Sequence, residues 1–281
     1  MSSPRKQLER LGLAPSKARG QNFLRDSNIA DRLADVIMLK LPQSGKLVEI
    51  GPGLGALTAP LLKREVEVFG VEIDRGLAAN LETWPETQSG RLKIFQKDIL
   101  EVDVKRDFGE GPFVICGNIP YCISAPIVFW FIEQSSCAGI FTFQKEVAQK
   151  LCATPGQRDY GRLSIGVSLW YDVKILFDIQ PCAFQPSPSV VSSVVLLTPK
   201  ASVPKTSSEV IRRFTAAAFH ARRKTLFNNL LPLYGAEKVT QALDQLGIDH
   251  KARAETLPPQ AFPFLAFLLE EGGVAAEYQP F

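Results

Sequence analysis

Two stretches of this 281-residue chain hold residues whose types and spacing could do chemistry. The first is Glu49-Ile-Gly-Pro-Gly-Leu-Gly-Ala-Leu-Thr58. Gly51, Gly53 and Gly55 let the backbone turn tightly and approach a ligand with no Cβ in the way. Glu72 follows at the end of the next apolar run, where a carboxylate can accept from both hydroxyls of a ribose. Asp98 lies beyond the run after that, placed to meet the exocyclic amine of an adenine ring. A glycine run alone is also met by a structural turn or a dinucleotide site. The ordered set of glycine loop, ribose acceptor and adenine reader at successive strand ends implies an adenosine-containing cofactor.

The second stretch is Asn118-Ile-Pro-Tyr121, directly after the apolar run Phe113–Gly117. An amine on adenine is a poor nucleophile because its lone pair is delocalised into the ring. Acceptors that bond both amine hydrogens pull it toward a tetrahedral, nucleophilic state. The Asn118 side-chain oxygen and the Ile119 carbonyl suit that task. Pro120 removes a competing backbone donor and stiffens the turn. Tyr121 can stack on the base, an interaction of about 1–3 kcal/mol. Read alone, the four residues are also an ordinary turn with a packed tyrosine. Their place at a strand end after a glycine loop favours group transfer to an amine.

These residues need elements to hold them. A helical pattern runs over 28–38. Strands are expected at 46–50, 67–72, 92–96, 113–117 and 139–143, with helices at 56–63, 76–81, 126–134 and 145–153 between or after them. Alternating apolar strands and helices predict a mainly parallel sheet covered on both faces. Two late strands, 173–179 and 193–197, are expected to form an antiparallel edge. Beyond Pro199–Pro204 the pattern turns wholly helical, with Ser207 or Ser208 as a cap. The expected fold class is therefore α/β, in two domains: 1–200, carrying a basic arm at 1–19, and a small all-helical domain at 201–281.

Composition excludes several classes. The net charge is only +3, so global charge does not argue for nucleic acid, but residues 1–25 hold Arg5, Lys6, Arg10, Lys17, Arg19 and Arg25 against Glu9 alone. Such an arm can neutralise phosphates, although a solvated terminus explains it equally. The five cysteines (Cys116, Cys122, Cys137, Cys152, Cys182) form no C-x-x-C pair, and His220 and His250 are the only histidines. Neither a metal site nor a disulfide framework is expected. Reduced cytosol is the expected compartment, and no apolar run is long enough to span a bilayer.

With those motifs in view, the sequence resembles the ribosomal RNA adenine N6,N6-dimethyltransferases, the KsgA group, from about Gly20 to the region of Leu265. The matching segments are Gly20-Gln-Asn-Phe-Leu24, Glu49–Thr58, Val71–Asp74, Lys97-Asp98-Ile99, Asn118–Tyr121, Phe143–Ala148, Asp159–Leu163, Phe184-Gln-Pro-Ser-Pro188 and Arg222-Arg-Lys-Thr-Leu226. The resemblance implies a Rossmann-like domain that uses S-adenosyl-L-methionine and no metal. Asn22, Leu24, Gly51, Glu72, Asp98 and Asn118 would line the cofactor pocket, with Gly53 and Gly55 in its loop. Phe184 would sandwich the target base against Tyr121, or else serve as a core aromatic. Arg222, Arg223 and Lys224, placed at a helical position, would meet RNA phosphates. The implied substrate is a pair of adjacent adenosines in the 3′-terminal hairpin loop of 16S rRNA, within the small subunit, late in its assembly. A cytoplasmic monomer is expected.

Departures from the group's usual pattern are Ile119 for Leu, Cys122 for Asn, and Ser189 and Val191 where Lys and Asp are frequent. Ile119 also occurs in relatives that methylate large-subunit rRNA, which keeps that alternative open beside a non-catalytic RNA-binding assembly factor. A DNA adenine methylase would bring a separate sequence-reading domain. A nicotinamide dehydrogenase would leave Asn118–Tyr121 without purpose.

Overall fold

In the computed structural model, residues 3–16, 19–134 and 137–271 are described; Lys17 of the basic run lies outside them. In chain order the strands are β1 (Phe23–Leu24), β2 (Lys46–Ile50), β3 (Val68–Val71), β4 (Leu92–Phe95), β5 (Phe113–Asn118), β6 (Ala138–Gln144), β7 (Tyr171–Ile179), β8 (Phe184–Gln185) and β9 (Ser192–Pro199). The helices up to β7 are α1 (Pro4–Arg10), α2 (Ser27–Met38), α3 (Thr58–Leu62), α4 (Arg75–Glu82), α5 (Pro85–Gln88), α6 (Val104–Phe108), α7 (Ser124–Glu133), α8 (Lys145–Cys152) and α9 (Arg162–Ser168). After β9 come α10 (Ser208–Ala218), α11 (Leu226–Tyr234), α12 (Ala236–Gln245) and α13 (Ala261–Ala266).

Seven strands form one sheet in the order β4-β3-β2-β5-β6-β9-β7. Strands β2 to β6 are mutually parallel, and β9 runs antiparallel to β6. Leu47, Val48, Val114, Ile115 and Cys116 are inaccessible to solvent, which is why these strands read as continuous apolar runs rather than alternating ones. Asp26 caps α2 by accepting the Asn28 and Ile29 amides, and the Ala30, Leu33, Ala34 and Ile37 face packs with Leu47, Leu61 and Val68. The strand order reverses beside β2 and β5, so a crevice opens at their carboxyl ends.

The chain divides into two packed units, 1–148 with 174–198, and 149–173 with 199–281. The helical unit is therefore wider than the segment 201–281 expected from composition. Tyr160 explains part of this: its buried hydroxyl donates to the Leu257 carbonyl at 2.8 Å, and Gly156 N–H donates to Glu255 O. Ser207 caps α10 through the Val210 amide. Phe214, Leu226, Leu230, Leu243 and Phe262 fill this unit's core.

The N-terminal arm also differs from expectation, because α1 is a helix. Ser3 accepts the Lys6 amide and Pro4 stands in the first turn, a favourable start for a helix. Leu8 is buried with Phe23, Leu54 and Leu77. In a segment rich in charge, one apolar residue anchors the helix. No helix among the described residues is long and apolar enough to cross a membrane.

Candidate active site

A cavity of about 270 Å³ lies at the carboxyl ends of β2, β3 and β5 in the first unit. Three turns leaving these strands build it. After β2 the chain passes through Gly51, Gly53 and Gly55 at φ of 61°, 60° and 79°, a region that penalises any side chain. Gly51 and Gly53 line the cavity. Gly55 does not; a Cβ there would lie 2.1 Å from the Trp84 ring. There Gly55 packs against Trp84, between α4 and α5.

Glu72 follows β3 and is 4% exposed. One carboxylate oxygen accepts the Gly53 amide at 2.9 Å and the other the Asp74 amide at 2.8 Å. Burial raises its pKa, and the two amides oppose that rise without cancelling it. The carboxylate thus braces the glycine turn, and each oxygen keeps a second lone pair for a hydroxyl donor. Glu49, next to last in β2, accepts the Thr58 hydroxyl at 2.7 Å, and its pKa is pushed up to about 8 by burial. Asp98 caps the turn after β4 through the Leu100 amide at 3.0 Å and borders the cavity. Arg19, also at the cavity, pairs with Asp74.

At the end of β5, the Asn118 amide nitrogen donates to the Asn22 carbonyl at 2.8 Å. A carbonyl can only accept, so this contact fixes which end of the amide is which. The Asn118 oxygen is left at the cavity with no protein donor among the described residues. Ile119 N–H is taken by the Thr142 carbonyl at 3.1 Å, and Pro120 has none to give. Tyr121 meets the Ser192 hydroxyl at 2.7 Å. Phe184 is 2% exposed, pairs with Leu24 across β1–β8, joins the main core and borders the cavity.

Asn22, Leu24, Gly51, Gly53, Glu72, Asp98, Asn118, Ile119, Pro120, Tyr121 and Phe184 thus border one cavity, although Asn22 and Asn118 are 96 positions apart. Ser192 had no signal in the sequence beyond being polar at the start of an apolar strand. Among the described residues no group of His, Cys, Asp and Glu could hold a metal ion.

Arg222, Arg223 and Lys224 belong to the other unit. They sit in the turn between α10 and α11, not within a helix, because Phe219 closes α10 and Thr225 caps α11. Arg222 is tied down: its guanidinium meets Glu255, the Arg158 carbonyl and the Tyr160 carbonyl. Arg223 and Lys224 are exposed.

A sheet of this order with a glycine turn, a buried acidic residue and an Asn-x-Pro-Tyr turn around one crevice defines an S-adenosylmethionine-dependent methyltransferase of Rossmann-like fold. The family model described as ribosomal RNA adenine dimethylase matches residues 15–268. The chain belongs to that family, and it is an rRNA adenine dimethyltransferase. Among similar curated proteins, the ribosomal RNA small subunit methyltransferase A of Thiobacillus denitrificans is 43% identical, covering 86% of this chain and 93% of that protein. The protein of the same name from Idiomarina loihiensis is 40% identical, covering 88% and 85%. Among solved structures, a dimethyladenosine transferase from Plasmodium falciparum shares the fold at TM-score 0.73 and 24% identity, over 90% of this chain and 98% of that one. The 23S rRNA methyltransferase ErmE gives 0.60 at 26% identity, over 89% and 100%.

Proposed function

We propose that this chain dimethylates N6 of two adjacent adenosines in the 3′-terminal hairpin loop of 16S rRNA, late in assembly of the small subunit. The observation that carries the chemistry is the Asn118–Asn22 contact, which leaves the amide oxygen free to accept from an amine. The substrate class is supported by relatives at 36–43% identity that bear the small-subunit name, against 26% for the large-subunit enzyme.

The residues present fit the cofactor. Gly51 and Gly53 offer backbone close to a ligand, Glu72 has lone pairs for ribose hydroxyls, and Asp98 can accept from an adenine amine. Asn22 and Leu24 close the same crevice. When bound, S-adenosylmethionine supplies an electrophilic methyl group. The chain's own part is positioning and exclusion of water. Asn118 Oδ1 and the Ile119 carbonyl accept the two N6 hydrogens, which draws the nitrogen lone pair out of the ring. Tyr121 stacks on the base, and Phe184 offers an opposing ring at the cavity wall. Once the methylated nitrogen has released one proton to solvent, the amine still holds one hydrogen for these acceptors. A loop adenosine costs less to turn out than one in a duplex. Arg223 and Lys224 are free to meet RNA phosphates, whereas Arg222 already serves the fold.

The test is transfer of labelled methyl to unmethylated small subunits and, separately, unmethylated large subunits, with mapping of the modified adenosines. Dimethyladenosine at two adjacent small-subunit loop positions, lost in Asn118→Ala, is expected. Label on the large subunit alone would assign the protein to the other substrate. RNA binding without transfer to either would make it a non-catalytic binder.

A further inference from the structure

Ser192 opens β9 and is inaccessible to solvent, at the head of the apolar run Val194–Leu197. A buried hydroxyl needs a partner, and this one meets the Tyr121 phenol 2.7 Å away. The phenol's pKa is raised by burial, so the contact is between neutral hydroxyls. Ser192 is itself held firmly. It stands opposite Gln144 in the β6–β9 register. Its neighbour Ser193, on the other face of the strand, donates to Asp178 at 2.6 Å. Asp178 also accepts from Lys145 at 2.6 Å, and the Lys145 amide donates to Val191 O. The strand start is therefore clamped on one face, while on the other Ser192 meets Tyr121, which borders the cavity.

We propose that Ser192 is a positioning residue for methyl transfer: its hydroxyl holds the Tyr121 phenol and so fixes the tilt of the ring against which the target adenine stacks. This rests on the reading of Tyr121 as the stacking platform. A hydrophobic pocket would hold an aromatic ring but leave its tilt and rotation loose. A hydrogen bond from a clamped strand to the far end of the ring fixes where that end lies and so removes the tilt. Placement errors of about an ångström reduce rates by about a hundredfold when the reacting atoms must align.

The experiment is a double-mutant cycle on the full chain with unmethylated small subunits, reading kcat, cofactor affinity and thermal unfolding for each variant. Ser192→Ala is expected to lower kcat by about five- to tenfold, the worth of one ordinary hydrogen bond, with cofactor affinity unchanged. Tyr121→Phe should show the same loss, the double variant no more than either, and Ser192→Thr should restore most of the rate. Should Ser192→Ala not fold, Tyr121→Phe reads the same bond from its half-buried end, and an unchanged kcat there overturns the proposal. Losses that multiply in the double variant, or a Thr variant as slow as the Ala variant, also overturn it while Tyr121→Ala remains inactive. A fully active Tyr121→Ala would instead remove the stacking platform itself, and the role of Ser192 with it.

Discussion

Glu49 and Glu72 are buried carboxyls at neighbouring strand ends, and burial raises the pKa of both. For Glu49 the value is about 8 against an ordinary 4.5. Between these values the folded chain holds a proton that the unfolded chain has lost. Stability from this group is therefore present below the unfolded value and is lost as the pH climbs toward 8. Glu49→Gln keeps the shape and an acceptor for Thr58 but does not titrate. Its melting temperature without cofactor should match that of the parent near pH 5 and exceed it increasingly toward pH 8. A gap that stays constant with pH would show that Glu49 does not titrate in this window. At this scale the sequence was informative where chemistry is tied to a strand end: Glu72, Asp98 and Asn118 could be named from the apolar run before each. The partners Asn22 with Asn118 and Tyr121 with Ser192 could not be paired, because they lie 96 and 71 positions apart and meet only when the sheet closes.

The turn after β2 is shaped by packing as much as by ligand. A methyl at Gly55 would meet Trp84 at 2.1 Å with φ at 79°, whereas one at Gly51 finds nothing within 4 Å. Gly55→Ala should cost about 2–4 kcal/mol of stability from overpacking and backbone strain together. Gly51→Ala should cost about 1–2 kcal/mol, the strain alone. Denaturant unfolding of the two variants checks the ranking, and equal losses would remove the role given to Trp84. The parallel strands were legible as elements because burial on both faces leaves an unbroken apolar run. The β1–β8 pair was not: two residues a side carry no periodicity, and Leu24 finds Phe184 only in the folded chain. Helix α1 was missed for a related reason, since Ser3 and Pro4 mark a helix start inside a segment dominated by basic residues.

Across the molecule, three basic neighbours divide their labour. All three are exposed, but only Arg222 is bonded through its side chain, to two main-chain carbonyls and Glu255, all within the helical unit. Arg223→Ala with Lys224→Ala should weaken RNA binding across sequences. It should also flatten the dependence of log affinity on log salt by roughly 0.7–0.9 for each phosphate no longer neutralised. Arg222→Ala should instead lower the melting temperature and leave that slope unchanged. Binding titrations over a range of salt, beside thermal unfolding, separate the two. Composition located the change to an all-helical pattern near residue 200. It could not assign 149–173 to the same unit, because that assignment rests on pairings such as Tyr160 to Leu257 that span the sequence. The chain passes between its two units at 148, 173 and 198, so the helical unit is built from two separate stretches of sequence. It is not an appendage that gene fission, or a stop codon after the last strand, could remove cleanly. A genetic exchange that replaces the helical unit whole must carry over two separate stretches of gene together.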